Sequence, residues 1–168
     1  MDEVKAIVRL ASEMGFALIP RGGGTGLTGG AIPALTRSVV LSLSKLKAIR
    51  DIDPDSMTLC AEAGVITADA IKAAAEQNLL FTVDPASKAG SSIGGNISEN
   101  SGGPFCFEYG VTLDNILSYS MVMPSGEFIE VARMNHPRHK IMPGEAAVFE
   151  IRNEQGETTR TITLSGDD

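Results

Sequence analysis

The chain has 168 residues, 43% of them apolar and 21% charged, and carries a formal net charge of −7 at pH 7. That mix is globular, and the length supports one domain with a core of useful size. The negative balance excludes binding driven by neutralising nucleic-acid phosphates or anionic lipid headgroups, and no apolar run is long enough to cross a membrane.

The N-terminal stretch has no basic segment leading into an apolar one, so no export signal is read and a cytoplasmic protein is expected. Cys60 and Cys106 then read as free thiols in a reducing compartment, and no metal site is expected.

Val4, Ile7, Val8, Leu10, Ala11 and Met14 recur at helical spacing, which predicts a helix over residues 2–14 closed by Gly15. FALI at 16–19 predicts a short strand running into Pro20 and then into RGGGTGLTGG, which holds six glycines in ten residues. Further strands are expected at 38–43 and at 57–63, the latter after the turn signal Asp53-Pro54-Asp55-Ser56. Thr67 is expected to cap a helix over 68–77 that has Asp69 in its first turn. A second loop rich in glycine and serine spans 84–104, and a short helix is expected within 111–117. One hairpin joins 119–123 to 127–131 across Pro124-Ser125-Gly126, and another spans 147–164 around Glu154-Gln155-Gly156. The expected class is α+β.

Glycine is entropically costly to order, so the first loop needs a reason. A linker lacks apolar anchors, whereas Ile19, Leu27, Ile32 and Leu35 hem this segment in. A nucleotide phosphate loop needs Lys-Ser or Lys-Thr after its glycines, and here Ala31 follows Gly30. Gly24-Thr25-Gly26-Leu27-Thr28-Gly29 satisfies the dinucleotide pattern G-x-G-x-x-G, with Asp51 and Asp53 near the spacing of a ribose-binding acid. That pattern must open a helix, and Pro33 with no helical period behind it refutes the match. What remains is a nest of backbone N–H donors suited to an anion, with the hydroxyls of Thr25 and Thr28 beside it. Arg21 either adds charge to that nest or supports the loop through a salt bridge. The second loop places Gly94, Gly95, Asn96, Asn100, Gly102 and Gly103 on one segment. Both loops are expected to follow strands and to lie along one extended ligand; the alternative is that the second set of glycines serves turns only.

Taken together the motifs resemble a known family. PRGGGTGLTGG, then DPAS, SIGGNI, ENSGG and YG, then PSGE, are similar to the FAD-binding domain of the vanillyl-alcohol oxidase (PCMH) type. The glycolate oxidase and D-lactate dehydrogenase flavoproteins form the branch most resembled. The resemblance runs from about residue 1 to 131. It implies two small α/β subdomains, about 1–64 and 65–131, with the flavin between them. Residues 132–168 would be an insert or the start of the next segment, hairpin-like, and the chain would be a fragment lacking a substrate domain.

The resemblance also implies site residues. Arg21, Gly22, Gly23, Gly24, Thr25, Gly26, Leu27 and Thr28 would hold the FAD diphosphate. Pro85, Ser87, Gly94, Gly95, Asn96, Ser98, Asn100 and Gly103 would lie along the ribityl and isoalloxazine portions. Relatives that bind flavin covalently often carry His in the first loop; Thr25 stands there, which implies non-covalent FAD. The implied activity is oxidation of a D-2-hydroxy acid such as D-lactate or glycolate, with the electron acceptor unspecified. No catalytic residue is assigned: Glu99 and Glu108 are near the second loop in sequence only, and a solvated surface role suits both. The basic run His136-Pro137-Arg138-His139-Lys140 reads as a surface loop, since two histidines do not close a metal site. The rival reading is a non-catalytic module that binds a nucleotide or sugar phosphate.

Overall fold

The computed structural model describes residues 1–136 and 138–167; Pro137, inside the basic run, and Asp168 lie outside the described residues. The chain divides into two compact units, Met1–Leu18 with Asp114–Asp168, and Ile19–Leu113. The subdomain boundary expected after residue 64 falls inside the second of these.

The first unit opens with helix α1 (Asp2–Met14). Its apolar stripe supplies the amphipathic face that such a helix needs, and Gly15 ends it in the left-handed region at φ 64°, returning its N–H to Ala11 O. Four strands form one antiparallel meander in chain order: β5 (Ser118–Val122), β6 (Phe128–Arg133), β7 (Ala146–Arg152) and β8 (Thr158–Ser165). Tyr119 pairs with Val131, Val131 with Ile151, and Phe149 with Ile162. Ala11, Val131, Ala132, Ala147 and Phe149 are buried here. Lys5 is also buried: its ammonium pairs with Glu154 and sits 5.3 Å from the centre of the Phe128 ring. A buried cation needs such a partner, because an unpaired one would pay its full desolvation cost.

The second unit carries the glycine loops. Strand β1 (Ala17–Arg21) pairs with β2 (Ser38–Ser42), and β3 (Ile49–Asp53) pairs antiparallel with β4 (Thr58–Ala61). Helices α2 (Thr67–Glu76), α3 (Ile93–Glu99), α4 (Cys106–Tyr109) and α5 (Thr112–Asn115) follow. Val65, Ala70, Ala74 and Val83 form its apolar centre.

Four local expectations are corrected. Strand β3 stands where no strand is expected, because IRDID does not alternate in hydrophobicity. Thr67 is not the cap of α2: Ile66 occupies that position, and the Thr67 side chain is buried elsewhere. The middle of the second loop is helix α3, and no strand leads into it among the described residues. The apolar residues expected to anchor the first loop do not: Leu27, Ile32 and Leu35 are all exposed, and only Ile19 is partly covered.

Candidate functional site

The first glycine loop leaves β1 and runs without helix or strand to β2, so the dinucleotide-motif reading fails in the structure as it does in the sequence. Asp53, at ribose-acid spacing, is spent locally. It accepts from Asp55 N at 2.9 Å and from Ser56 Oγ at 2.6 Å, and these hydrogen bonds, Ser56's first, hold its carboxyl below the ordinary carboxylate range.

The two loops dock on each other. A Cβ on Gly22 would lie 2.1 Å from Ser92 Oγ, and one on Gly23 would lie 1.8 Å from the Gly90 carbonyl oxygen. A Cβ on Gly90 would in turn lie 3.4 Å from the Thr25 methyl. These two glycines are therefore demanded by packing of loop on loop. Others in the loop are different. A Cβ at Gly26 meets nothing closer than 3.8 Å, and one at Gly29 meets nothing within 4 Å. Gly24 has φ +68° and lies under the Arg21 guanidinium, 2.7 Å from its would-be Cβ. Among the described residues, the backbone N–H groups of residues 23–28 have no protein acceptor, and Arg21 has no carboxylate partner. The salt bridge considered for Arg21 is thus not present, and its charge stays with the loop.

The second loop is held by a buried polar cluster that sequence reasoning did not single out. Thr67 is wholly buried, and its Oγ1 lies 2.8 Å from Ser91 Oγ and 2.9 Å from Asn96 Nδ2. Ser92 caps α3 by accepting from Gly95 N, and Gly94 packs on Ala63, where a Cβ would come within 2.8 Å of its neighbour. Asn96 is 3% exposed, and its Oδ1 is a buried acceptor with no partner among the described residues. The signal available in sequence is Thr67 itself, which by sequence alone reads as a helix cap.

Several predicted residues already serve the fold. Ser98 Oγ donates to Gly94 O at 2.9 Å, and Asn100, at φ 50°, accepts from Leu113 N through Oδ1 at 2.8 Å. Gly103 packs on Asp84, Pro85 O accepts from Lys88 N, and Ser87 O accepts from the N–H groups of Gly90 and Ser91. Leu27 is fully exposed, and Thr28 Oγ1 donates to Glu99 Oε2 at 2.8 Å. Glu108, the other carboxylate close in sequence, is exposed on α4. Exposed backbone donors, an unpaired guanidinium and an orphaned buried acceptor make a set that fits an extended anionic ligand with polar edges.

In the first unit a cleft of about 390 Å³ is lined by Arg133, Asn135, His136, Ile141, Glu145 and Ala146. Burial, and then the nearby Arg133 charge, push the His136 imidazole below its ordinary pKa. The folded chain therefore resists taking a proton there that the unfolded chain accepts near pH 6.5. Stability contributed by this residue is expected to be present above that pH and to fall as pH drops through it. NMR titration should find His136 half-protonated below pH 6.5, and His136→Gln should flatten the pH dependence of the unfolding midpoint between pH 7 and 5.

A family described as the FAD binding domain matches residues 1–132. The chain is 39% identical over 128 residues to glycolate oxidase subunit GlcD of Bacillus subtilis, a match covering 76% of this chain and 27% of that protein. It is 40% identical over 131 residues to D-2-hydroxyglutarate dehydrogenase of Xanthomonas citri pv. viticola, covering 78% and 28%. Among solved structures, alkyldihydroxyacetonephosphate synthase superposes with a TM-score of 0.66 at 29% identity, over 74% of this chain and 26% of that one. The 6-hydroxy-D-nicotine oxidase of Arthrobacter nicotinovorans gives 0.66 at 28% identity, over 77% and 27%. The chain spans about a quarter of the length of the relatives it matches.

Proposed function

Because the chain belongs to the FAD binding domain family, we propose that it forms the flavin-binding part of an FAD-linked oxidoreductase acting on a D-2-hydroxy acid such as D-lactate or glycolate. The observation that carries this reading is the run of unpaired backbone donors at residues 23–28, docked on a second side-chain-poor segment and flanked by the free Arg21 guanidinium. Support for the substrate class comes from the names of the relatives, which concern glycolate, D-2-hydroxyglutarate and D-lactate.

In this reading residues 1–131 are the flavin domain, and 132–168 begin the following segment. Gly22, Gly23, Gly24, Thr25 and Gly26 present amides to the diphosphate, with Arg21 neutralising charge and Leu27 and Thr28 closing the loop. Pro85, Ser87, Gly94, Gly95, Asn96, Ser98, Asn100 and Gly103 lie along the rest of the cofactor, mostly through backbone, since the Ser98 and Asn100 side chains already serve the fold. FAD when bound supplies a two-electron acceptor. This chain's residues bind it, orient it and neutralise its charge; the base and the group that grips the substrate carboxylate belong to a substrate domain outside this sequence.

The loops at 21–30 and 84–104 contain neither His nor Cys, which supports non-covalent attachment. Free Cys60 and Cys106 suit the cytoplasm. No helix among the described residues is long and apolar enough to cross a membrane. Purified protein supplied with FAD is expected to show flavin absorbance, and acid precipitation is expected to leave the flavin in the supernatant. Yellow pellet would overturn non-covalent attachment. Binding of free nucleotides with no flavin uptake would favour the phosphate-binding module instead.

A further inference from the structure

Among the described residues, Glu99 is the one carboxylate laid against the first glycine loop, and its position is costly by local rules. It is the last residue of α3, where the helix dipole disfavours negative charge. No Lys or Arg pairs with it among the described residues. It is held instead by the loop: Thr28 Oγ1 donates to Oε2 at 2.8 Å, Oε1 lies 3.3 Å from the would-be Cβ of Gly30, and its Cδ lies 3.8 Å from that of Gly26. The loop thus carries a cation, Arg21, at its entry and an anion, Glu99, at its far end. Breaks of a local rule of this kind are expected at functional or strained positions.

We infer that Glu99 is a charge filter on the glycine loop, weakening phosphate ligands in proportion to their charge. A flavin dinucleotide brings two negative charges as a doubly esterified diphosphate. ADP, ending in a free phosphate, brings nearly three on the same number of phosphorus atoms. Like charges cost more as they accumulate, and near a protein surface a separation of a few ångströms keeps the difference measurable. The Thr28 hydroxyl holds the carboxylate in place, so the repulsion is fixed rather than avoided by rotation. The naming of FAD rests on the function proposed above; the charge dependence does not.

The test is to measure the affinity of the chain and of Glu99→Gln for FAD, ADP and riboflavin at low ionic strength. Gln Oε1 still accepts from Thr28, so the loop keeps its hydrogen bond and loses only the charge. Glu99→Gln is expected to tighten ADP about tenfold, to tighten FAD about fivefold, and to leave riboflavin, which has no phosphate, unchanged. Glu99→Ala, which also removes the hydrogen bond, should keep the same order of gains. Unchanged or weaker ADP binding in both variants, or an equal gain for riboflavin, would overturn the filter. A wild-type chain that binds ADP but not FAD would sink the cofactor reading while the ADP arm still decides the filter. Failure of every phosphate ligand to bind any form would overturn both.

Discussion

Gly23→Ala is expected to be the most damaging single methyl in the chain. Its Cβ would sit 1.8 Å from the Gly90 carbonyl oxygen and 3.1 Å from Ser91 Cα, both parts of backbone that cannot swing aside. Ser87 O holds that backbone from the other side by accepting the N–H groups of Gly90 and Ser91, each at 2.8 Å. Relief therefore requires parting the two loops. Overpacking of this kind costs on the order of 3 kcal/mol. For a chain of this size such a loss lowers the unfolding midpoint by roughly 6–12 °C. FAD affinity should fall with it, since the donors at 23–28 lose their platform. Thermal unfolding checks the first effect and flavin titration the second; a midpoint within a degree of wild type would show that the loops are not docked as described.

The contrast between Gly23 and its neighbours explains what the sequence could and could not show. RGGGTGLTGG announces that bare backbone is needed, but not by what. Gly22 and Gly23 are bare for the second loop, Gly24 for its positive φ and the Arg21 side chain, and Gly26 for neither. No pattern within ten residues separates these causes, because the partners of Gly22 and Gly23 lie some seventy residues away. Helix α1 was legible because its apolar spacing and Gly15 are both local signals. Helix α3 was hidden because IGGNISE has the composition of a loop, and two glycines in a helix cost about 1 kcal/mol each relative to Ala. Tertiary context offsets that cost: Gly94 lets the helix approach Ala63, and Ser92 caps its start. Thr67 misled for a related reason. Thr beside a helix start signals a cap, yet here its hydroxyl serves Ser91 and Asn96, which the fold alone brings near.

Gly26→Val separates ligand binding from folding, and this is where the cofactor reading is most exposed. Gly26 has no positive φ, and a Cβ there meets only the Glu99 side chain, at 3.8 Å, an ordinary van der Waals contact. The fold should tolerate the substitution, with a stability change within about 0.5 kcal/mol, as for other surface sites. A ligand that needs the neighbouring amides would not tolerate it, because a branched side chain stands where the diphosphate must approach. Hydrogen bonds to a charged group contribute about 1.5–3 kcal/mol each. Losing two of them weakens binding by at least about a hundredfold. Gly29→Ala is the matching control: it meets nothing within 4 Å but sits at φ +85°, so it should lose stability through backbone strain. Unfolding midpoints and FAD titrations on the two variants should therefore move in opposite columns, stability for Gly29 and affinity for Gly26. If Gly26→Val folds normally and binds FAD as the wild type does, the donors at 23–28 are not the diphosphate site.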